Sequence, residues 1–347
     1  MKKIGNLAYR LFSIFYFLFS ISVLGILNFG IGTRGFSQDL HLSQFESSPQ
    51  YLNPAMTGMF NGDYRINAHH RSQWRSIASK PFTTSALSFD MPLKKMKVGA
   101  FVLNNRAGAG GYNVLNFVLS GAYDFAFKKN PHHHISAGAQ IGVIHKSVNM
   151  EKLYFQTQYN SSNGGSFNTD LPSGEIFTNA SIVLPESNIG LLYYFSNTQK
   201  RINPFLGFSV FHLTEPNESF INVYNRLPRR YLAHAGLKIN INEKLQFLVH
   251  SLAMKQANDV EIINSFLVNY YLKPSDVFLL AGTTYRSKDA AIAHLGLKYG
   301  NYTYRFSYDI NTSALNAISN GKGGFELSVV YIMKKQIPNP VVACPRI

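Results

Sequence analysis

The sequence predicts an all-β fold, a transmembrane antiparallel β-barrel of about fourteen strands with a partly plugged lumen. Three observations carry this. A period-two hydrophobic rhythm runs through nearly the whole chain after residue 62. The strands it marks are longer than the ~5–6 residues usual in soluble sheets and reach the ~9–11 needed to cross a bilayer at a tilt. An N-terminal segment ahead of them reads as an export signal.

Residues 1–37 supply that signal. Met1, Lys2, Lys3 and Arg10 form a positive start, and the stretch from Leu11 to Phe29 is almost wholly apolar. Gly35 and Ser37 are small residues at the −3 and −1 positions of a cut that would leave Gln38 first. The competing reading is an uncleaved transmembrane helix, which takes about 20 apolar residues. The β-rich chain that follows, with no other helical span, favours cleavage. No cysteine lies near the cut, so no lipid anchor is expected there. The division is then a signal at 1–37, an N-terminal periplasmic or plug arm at 38–62, a barrel at 63–334 and a C-terminal periplasmic tail at 335–347.

Aromatic residues make up 14% of the chain and charged residues 15%, few charges for a soluble surface. The mean hydropathy of −0.06 argues against a helical membrane protein and suits a barrel, whose alternation averages hydropathy towards zero. No Pro/Ser-rich linker divides the chain, so one domain is expected. The formal charge of +15 loses four when Lys2, Lys3, Arg10 and Arg34 leave with the signal, giving +11. No basic helix, zinc spacing or RNA-binding signature accompanies it, so nucleic acid is not the expected partner. Attraction to acidic outer-membrane lipid head groups or to an acidic partner fits the charge better, and a merely basic surface with no partner fits it best. Cys344 is the only cysteine, which excludes an intrachain disulfide.

The strands follow in order. Tyr64–Trp74 puts Arg65, Asn67, His69, Arg71 and Gln73 on one face, and Thr83–Met91 is its hairpin partner. Val98–Arg106 leads through the turn Ala107-Gly108-Ala109-Gly110-Gly111 into Asn113–Phe127. There Leu115, Phe117, Leu119, Tyr123, Phe125 and Phe127 alternate with Asn116, Ser120 and Asp124. His133–Asn149 comes next, and the segment from Met150 to Thr178 then breaks the rhythm, longer than any hairpin turn. Further strands are read near Ile189–Ser196, Phe205–Leu213, Arg230–Ile241, Leu245–Met254, Ile262–Leu272, Val277–Tyr285, Ala291–Tyr299, Tyr302–Ile310 and Phe325–Met333. A barrel beyond ~8 strands is too wide for wall side chains to fill. Water, the segment Gln38–Gly62, or the Met150–Thr178 loop must occupy the rest.

Several blocks are more specific than the rhythm. Gln38-Asp39, Ser43-Gln44-Phe45 and Tyr51-Leu52-Asn53-Pro54-Ala55-Met56-Thr57-Gly58 open the mature chain. Arg71-Ser72-Gln73-Trp74, the block from Asn104 to Gly111, and Leu171-Pro172-Ser173-Gly174 follow. Gly323-Gly324-Phe325-Glu326-Leu327-Ser328 and Cys344-Pro345-Arg346-Ile347 close it. In kind and order these blocks resemble the PorP/SprF family of Bacteroidetes. Asn105 departs from the family, standing where Asp is common, as does Glu46-Ser47-Ser48 in place of a more apolar stretch. The resemblance implies an integral outer-membrane protein of the type IX secretion system, the export route tied to gliding motility. It implies support for secretion or surface anchoring of a partner, a large secreted adhesin, and the expected mode is binding, with barrel loops and the N-terminal arm holding the adhesin's terminal domain. It also implies contact with type IX secretion subunits and no role as the main translocation pore.

Other motifs are weighed on their chemistry. The glycine turn lacks the Lys-Ser/Thr ending and following helix of a phosphate loop, so its glycines are read as turn formers. Asn105 and Arg106 beside it are candidates for pinning the turn or facing a partner. In His132-His133-His134 the middle ring points away from its neighbours on a strand, and the spacing is not that of a zinc site. No nucleophile signature such as G-x-S-x-G is present. No catalytic, metal or cofactor site is therefore assigned, and the protein is read as a non-enzyme. The segment Tyr51, Leu52, Asn53 and Pro54 is the first candidate for function, as a plug that also contacts cargo or secretion machinery. Tyr64, Trp74, Tyr154, Tyr193, Tyr231, Tyr271 and Tyr285 are read as interfacial girdles. The alternative function is a passive outer-membrane channel for small hydrophobic molecules, which a wide barrel with an N-terminal plug would also serve. A third reading is a lipid-modifying enzyme built from side chains on separate strands.

Overall fold

The computed structural model describes residues 39–333 except 77, 79, 109, 128, 162–164, 169, 175–176, 178, 198 and 222. The expected signal, the C-terminal tail and Cys344 lie outside the described residues. Fourteen antiparallel strands close into a barrel in which every strand pairs with its neighbours in the chain. They are β1 (Arg65–Gln73), β2 (Phe82–Leu93), β3 (Met96–Ala107), β4 (Tyr112–Phe127), β5 (Asn130–Ser147), β8 (Ser181–Phe195) and β9 (Ile202–Phe211). The circuit continues through β10 (Arg230–Asn240), β11 (Leu245–Gln256), β12 (Asp259–Leu272), β13 (Val277–Arg286), β14 (Ala290–Tyr299), β15 (Tyr302–Asn311) and β16 (Lys322–Ile332). β16 returns to β1, with Arg71 opposite Glu326 and His69 opposite Ser328. Closure leaves the sheet no edge strand, the one way a sheet satisfies its backbone in hydrocarbon, with one stretch of β8 paired on a single side.

The alternation read from the sequence sorts side chains between lipid and lumen. Leu115, Phe117, Leu119 and Phe125 of β4 are exposed on the outer wall, as are Tyr302, Tyr304, Phe306 and Tyr308 of β15. Ser120, Gln140, Glu186, Asn188, His234, Ser307, Asp309 and Glu326 point inward and are buried. Among the described residues no helix is long and apolar enough to span a membrane; the crossing elements are strands. Tyr193, Tyr231 and Tyr285 stand outward near strand ends. Two expected girdle residues do not: Tyr154 belongs to the loop after β5, and Tyr271 shares the inward parity of Glu261 and Ile263 and packs on Phe278, 4.6 Å between centroids.

The two ends differ. Segments 94–95, 128–129, 196–201, 241–244, 273–276 and 300–301 join strands at one end, which also carries the start of β1 and the end of β16. Segments 74–81, 108–111, 148–180, 212–229, 257–258, 287–289 and 312–321 join them at the other. The 148–180 segment is not the lumen filler. It carries a small hairpin of β6 (Tyr159–Asn160) and β7 (Ser166–Phe167), and Phe177 bridges Ile221 of the 212–229 loop. β8 begins earlier than the rhythm suggests because Pro185 lies within it. Residues 181–188 pair with β5 alone, and β9 joins only from Ile189. A proline is tolerated on that unpaired side because no ladder bond is lost there.

A plugged lumen as the candidate functional site

The N-terminal arm fills the space that the wall leaves. It enters at the short-turn end, where the Asp63 amide donates to the Met333 carbonyl, and its described residues reach Asp39 near the long-loop end. Between these points it makes one α-turn, Pro49–Leu52, flanked by 3-10 turns Phe45–Ser47 and Pro54–Met56. Pro49 and Pro54 start two of these turns, positions where a missing N–H costs nothing. Leu42, Phe45, Leu52 and Ala55 are buried, and Phe45 and Leu52 join Phe211, Leu232, Leu252 and Ile263 in one core.

Short turns cannot satisfy the arm's backbone, so the wall does. At the long-loop end the Asp39 carboxylate lies 2.6 Å from His212 Nε2 and 3.1 Å from Arg230 Nη1. Glu186 accepts from the other ring nitrogen of His212 at 2.8 Å. Burial works against charge on both partners of this pair. Beside His212 and Arg230, however, the Asp39 carboxyl is held well below the usual carboxylate range. Likewise Asp39 and Glu186 raise His212 to about 9. His212 therefore stays charged at neutral pH.

One turn deeper, Glu326 accepts from the Ser43 and Gln44 amides at 2.9 and 2.8 Å. Asp309 sits between Arg71 and Arg286, at 2.9 and 3.0 Å, and accepts from the Ser43 hydroxyl. Gln44 is held by Ser307 and Ser328. Both acids and both arginines are nearly inaccessible to solvent. A buried charge persists only when paired and hydrogen-bonded. The arm supplies part of that pairing.

The four arm residues singled out from sequence lie together in the mid-lumen. The Tyr51 hydroxyl donates to the Leu40 carbonyl and accepts from Arg230, whose guanidinium also lies 4.6 Å over the Tyr51 ring. The Leu52 carbonyl accepts from Ser209, and the Ala55 carbonyl after Pro54 accepts from Ser136. Asn53 has a determined orientation. Its Oδ1 accepts from the Ala55 amide, while its Nδ2 faces the carbonyls of Leu191 and Phe208, which can only accept. Nδ2 therefore donates to His234 Nε2 at 3.2 Å, and His234 Nδ1–H then donates to His250 Nε2 at 3.2 Å. The two histidines form a neutral buried chain.

Room for this segment comes from three inward glycines on adjacent strands. A Cβ on Gly138 would meet the Pro54 carbonyl carbon at 2.4 Å, one on Gly190 the Asn53 Oδ1 at 2.0 Å, and one on Gly207 the Asn53 Nδ2 at 2.8 Å. Gly138 and Gly190 are cross-strand partners, so they form one depression in the wall.

The structure places Asn105 and Arg106 apart from the arm segment, at the long-loop end of β3. Asn105 points inward and accepts from Thr84 at 3.0 Å, whereas Arg106 is exposed. The cross-strand bond beside the glycine turn is made by Asn104 and Asn113. Of the histidine triplet, His133 contacts Tyr193 outside, His134 stacks on Tyr194 inside, and His132 reaches the Ser196 carbonyl. Among the described residues no group of three His, Cys, Asp or Glu is placed to hold a metal. Sequence reasoning did not assign Ser43, Gln44, Glu326, Asp309 or Arg286. The available signal was parity, since each charged residue falls on the inward face of a strand that otherwise alternates.

None of the curated proteins matches the chain. Among solved structures, the Ralstonia pickettii toluene transporter TbuX is similar at 9% identity and TM-score 0.49, over 83% of this chain and 94% of that one. A Pseudomonas aeruginosa FadL homologue is similar at 12% identity and TM-score 0.47, over 82% and 94%. The CymD monoaromatic hydrocarbon channel is similar at 14% identity and TM-score 0.46, over 83% and 94%. The family described as type IX secretion system membrane protein PorP/SprF matches residues 35–331. A closed barrel with an apolar outer band and that family match is a protein of the outer membrane. The chain belongs to the PorP/SprF family of type IX secretion system membrane proteins.

Proposed function

We propose that this barrel supports secretion or surface anchoring of a large secreted adhesin, gripping the adhesin's terminal domain by binding rather than by catalysis. The observation that carries this reading is the plug. Single-chain outer-membrane barrels keep short turns in the periplasm and long loops outside. In that orientation the arm runs up through the lumen, and Asp39 stands at the extracellular mouth. An arm fixed by ion pairs at Asp39 and by hydrogen bonds to buried wall side chains at several depths suits a holding device better than an open conduit for solutes. The outer end also offers a broad surface, where loops 148–180 and 212–229 expose Tyr154, Tyr159, Phe167 and Tyr224. Large amphipathic rings of this kind anchor protein interfaces.

The test is a mild-detergent pull-down of the tagged protein from its native outer membrane, read by mass spectrometry. Recovery of one large secreted protein, with or without secretion-system subunits, supports the reading. A solitary barrel accompanied by small hydrophobic molecules would overturn it in favour of a channel.

A further inference from the structure

The outer wall has a concave, partly polar place where β16, β1, β2 and β3 meet. Most outward positions of the wall carry large apolar side chains, as on β4 and β15. Here they include Ala68 and His70 on β1 and Ser85 on β2, between Leu87 and Leu327. The small Ala68 leaves a groove of about 460 Å³ that Val102 and Val329 also line. On its floor His70 Nδ1 lies 2.9 Å from Ser85 Oγ, and Nε2 has no hydrogen-bond partner among the described residues.

Depth makes this costly. At ~3.3 Å per residue along a strand and a tilt of roughly 40°, His70 lies about 10 Å in height from Trp74 at one end of β1 and about 15 Å from Tyr64 at the other. It therefore sits inside the apolar band, which is roughly 25 Å tall. An imidazole nitrogen facing hydrocarbon without a partner is unfavourable. At the long-loop end of the same strands stand Arg75, Lys80 and Arg106. Lys80 lies just before β2, and Arg106 is the cross-strand partner of Thr83. Among the described residues none of the three has a carboxylate within ion-pair distance.

We propose that this groove is a binding site for a phosphorylated, hydroxyacylated glycolipid of the outer leaflet, of the lipid A class. Arg75, Lys80 and Arg106 meet its phosphate. One acyl chain lies in the groove, and a hydroxyl or ester near the head of that chain reaches His70 Nε2. Each feature answers one part of such a molecule: rim charge of a single sign, a trough with aliphatic walls narrow enough for a chain, and a few polar groups, His70 with Ser85 and Asn104, below the head group. The trough opens towards the bilayer, where the lipid already is.

The experiment uses the full-length barrel purified in detergent and titrated with purified lipid A, with phosphatidylethanolamine and phosphatidylglycerol as comparison probes, read by native mass spectrometry. Lipid A should bind in preference to both phospholipids. The triple variant R75Q/K80Q/R106Q should weaken that binding about a hundredfold, given the usual contribution of each basic residue near a charged head group. Ala68→Phe fills the groove with the rim charges intact and should weaken it about tenfold. Heat-modifiable migration on gels reports that each variant is folded. Wild-type binding by both variants, or equal binding of phosphatidylglycerol, would overturn the proposal. Should a variant not fold, a photo-reactive residue in place of Leu87 decides in cells: a cross-linked glycolipid supports the site, and a cross-linked polypeptide overturns it.

Discussion

At the scale of single residues, the arm's outer end depends on a charge that can be titrated. His212 is raised to about 9 against its ordinary 6.5 by Asp39 and Glu186. Its contribution to holding the arm through Asp39 is therefore complete below about pH 6.5 and is lost as pH rises through about 9, and it is only part of that shift because Glu186 of the wall stays beside His212 whether or not the arm is seated. Asp39 works in the opposite sense. Its carboxyl is depressed, so its contribution is present above 3.8 and fades only as pH falls below that value. Arg230, 3.1 Å from Asp39, keeps its charge throughout, so alkali weakens the contact without abolishing it. Hydrogen exchange at the Leu42–Gln44 amides should accelerate between pH 7 and 10 beyond the intrinsic rise. His212→Gln should flatten that excess. An excess that survives in His212→Gln would remove His212 from the role.

At the scale of elements, what decides the plug is the match between one bend of the arm and one depression in the wall. Asn53 and Pro54 lie against Gly138, Gly190 and Gly207, contributed by β5, β8 and β9. Gly190→Leu would put a branched side chain where Asn53 Oδ1 now sits, while the outward side chains on both sides, Ile189 and Leu191, stay unchanged. The barrel should still fold, with a β-rich circular dichroism spectrum and heat-modifiable migration, but the arm should become sensitive to added protease. Protection equal to wild type would mean the arm is held chiefly by its outer ion pairs. Much of the architecture was legible at this scale, because alternation alone separates β4 and β15 into a lipid face and a lumen face. Pro185 hid the first half of β8, since the half-paired edge that tolerates it is a tertiary fact. The site was legible only in part. Tyr51 to Pro54 stood out as a block with turn-forming proline, but nothing local links Ser43 to Glu326 or Arg71 to Asp309. Those pairs exist because β16 closes on β1, and closure brings together residues that lie at opposite ends of the chain.

At the scale of the whole molecule, wall and plug have separate sources of stability. The wall is a continuous ladder of antiparallel pairs whose outer side chains are matched to lipid. None of its ladder bonds passes through the arm. The plug is held by side-chain and carbonyl groups of the inner face, where Arg71, Arg286, Asp309 and Glu326 would still neutralise one another if the arm left. Water entering the vacated space would solvate what the arm no longer pairs, so the loss falls on the lumen and not on the wall. A variant lacking residues 39–60, with the signal joined directly to the barrel, should insert and remain heat-modifiable. In planar bilayers it should pass ions where the intact protein passes few, because a barrel beyond ~8 strands cannot fill its interior from the wall alone. Adhesin display should fall in the same strain, since the proposed grip uses the arm. Conductance without loss of display would separate the plug from the grip and place cargo binding on the outer loops. Loss of display without conductance would mean that the wall collapses inward when the arm is gone.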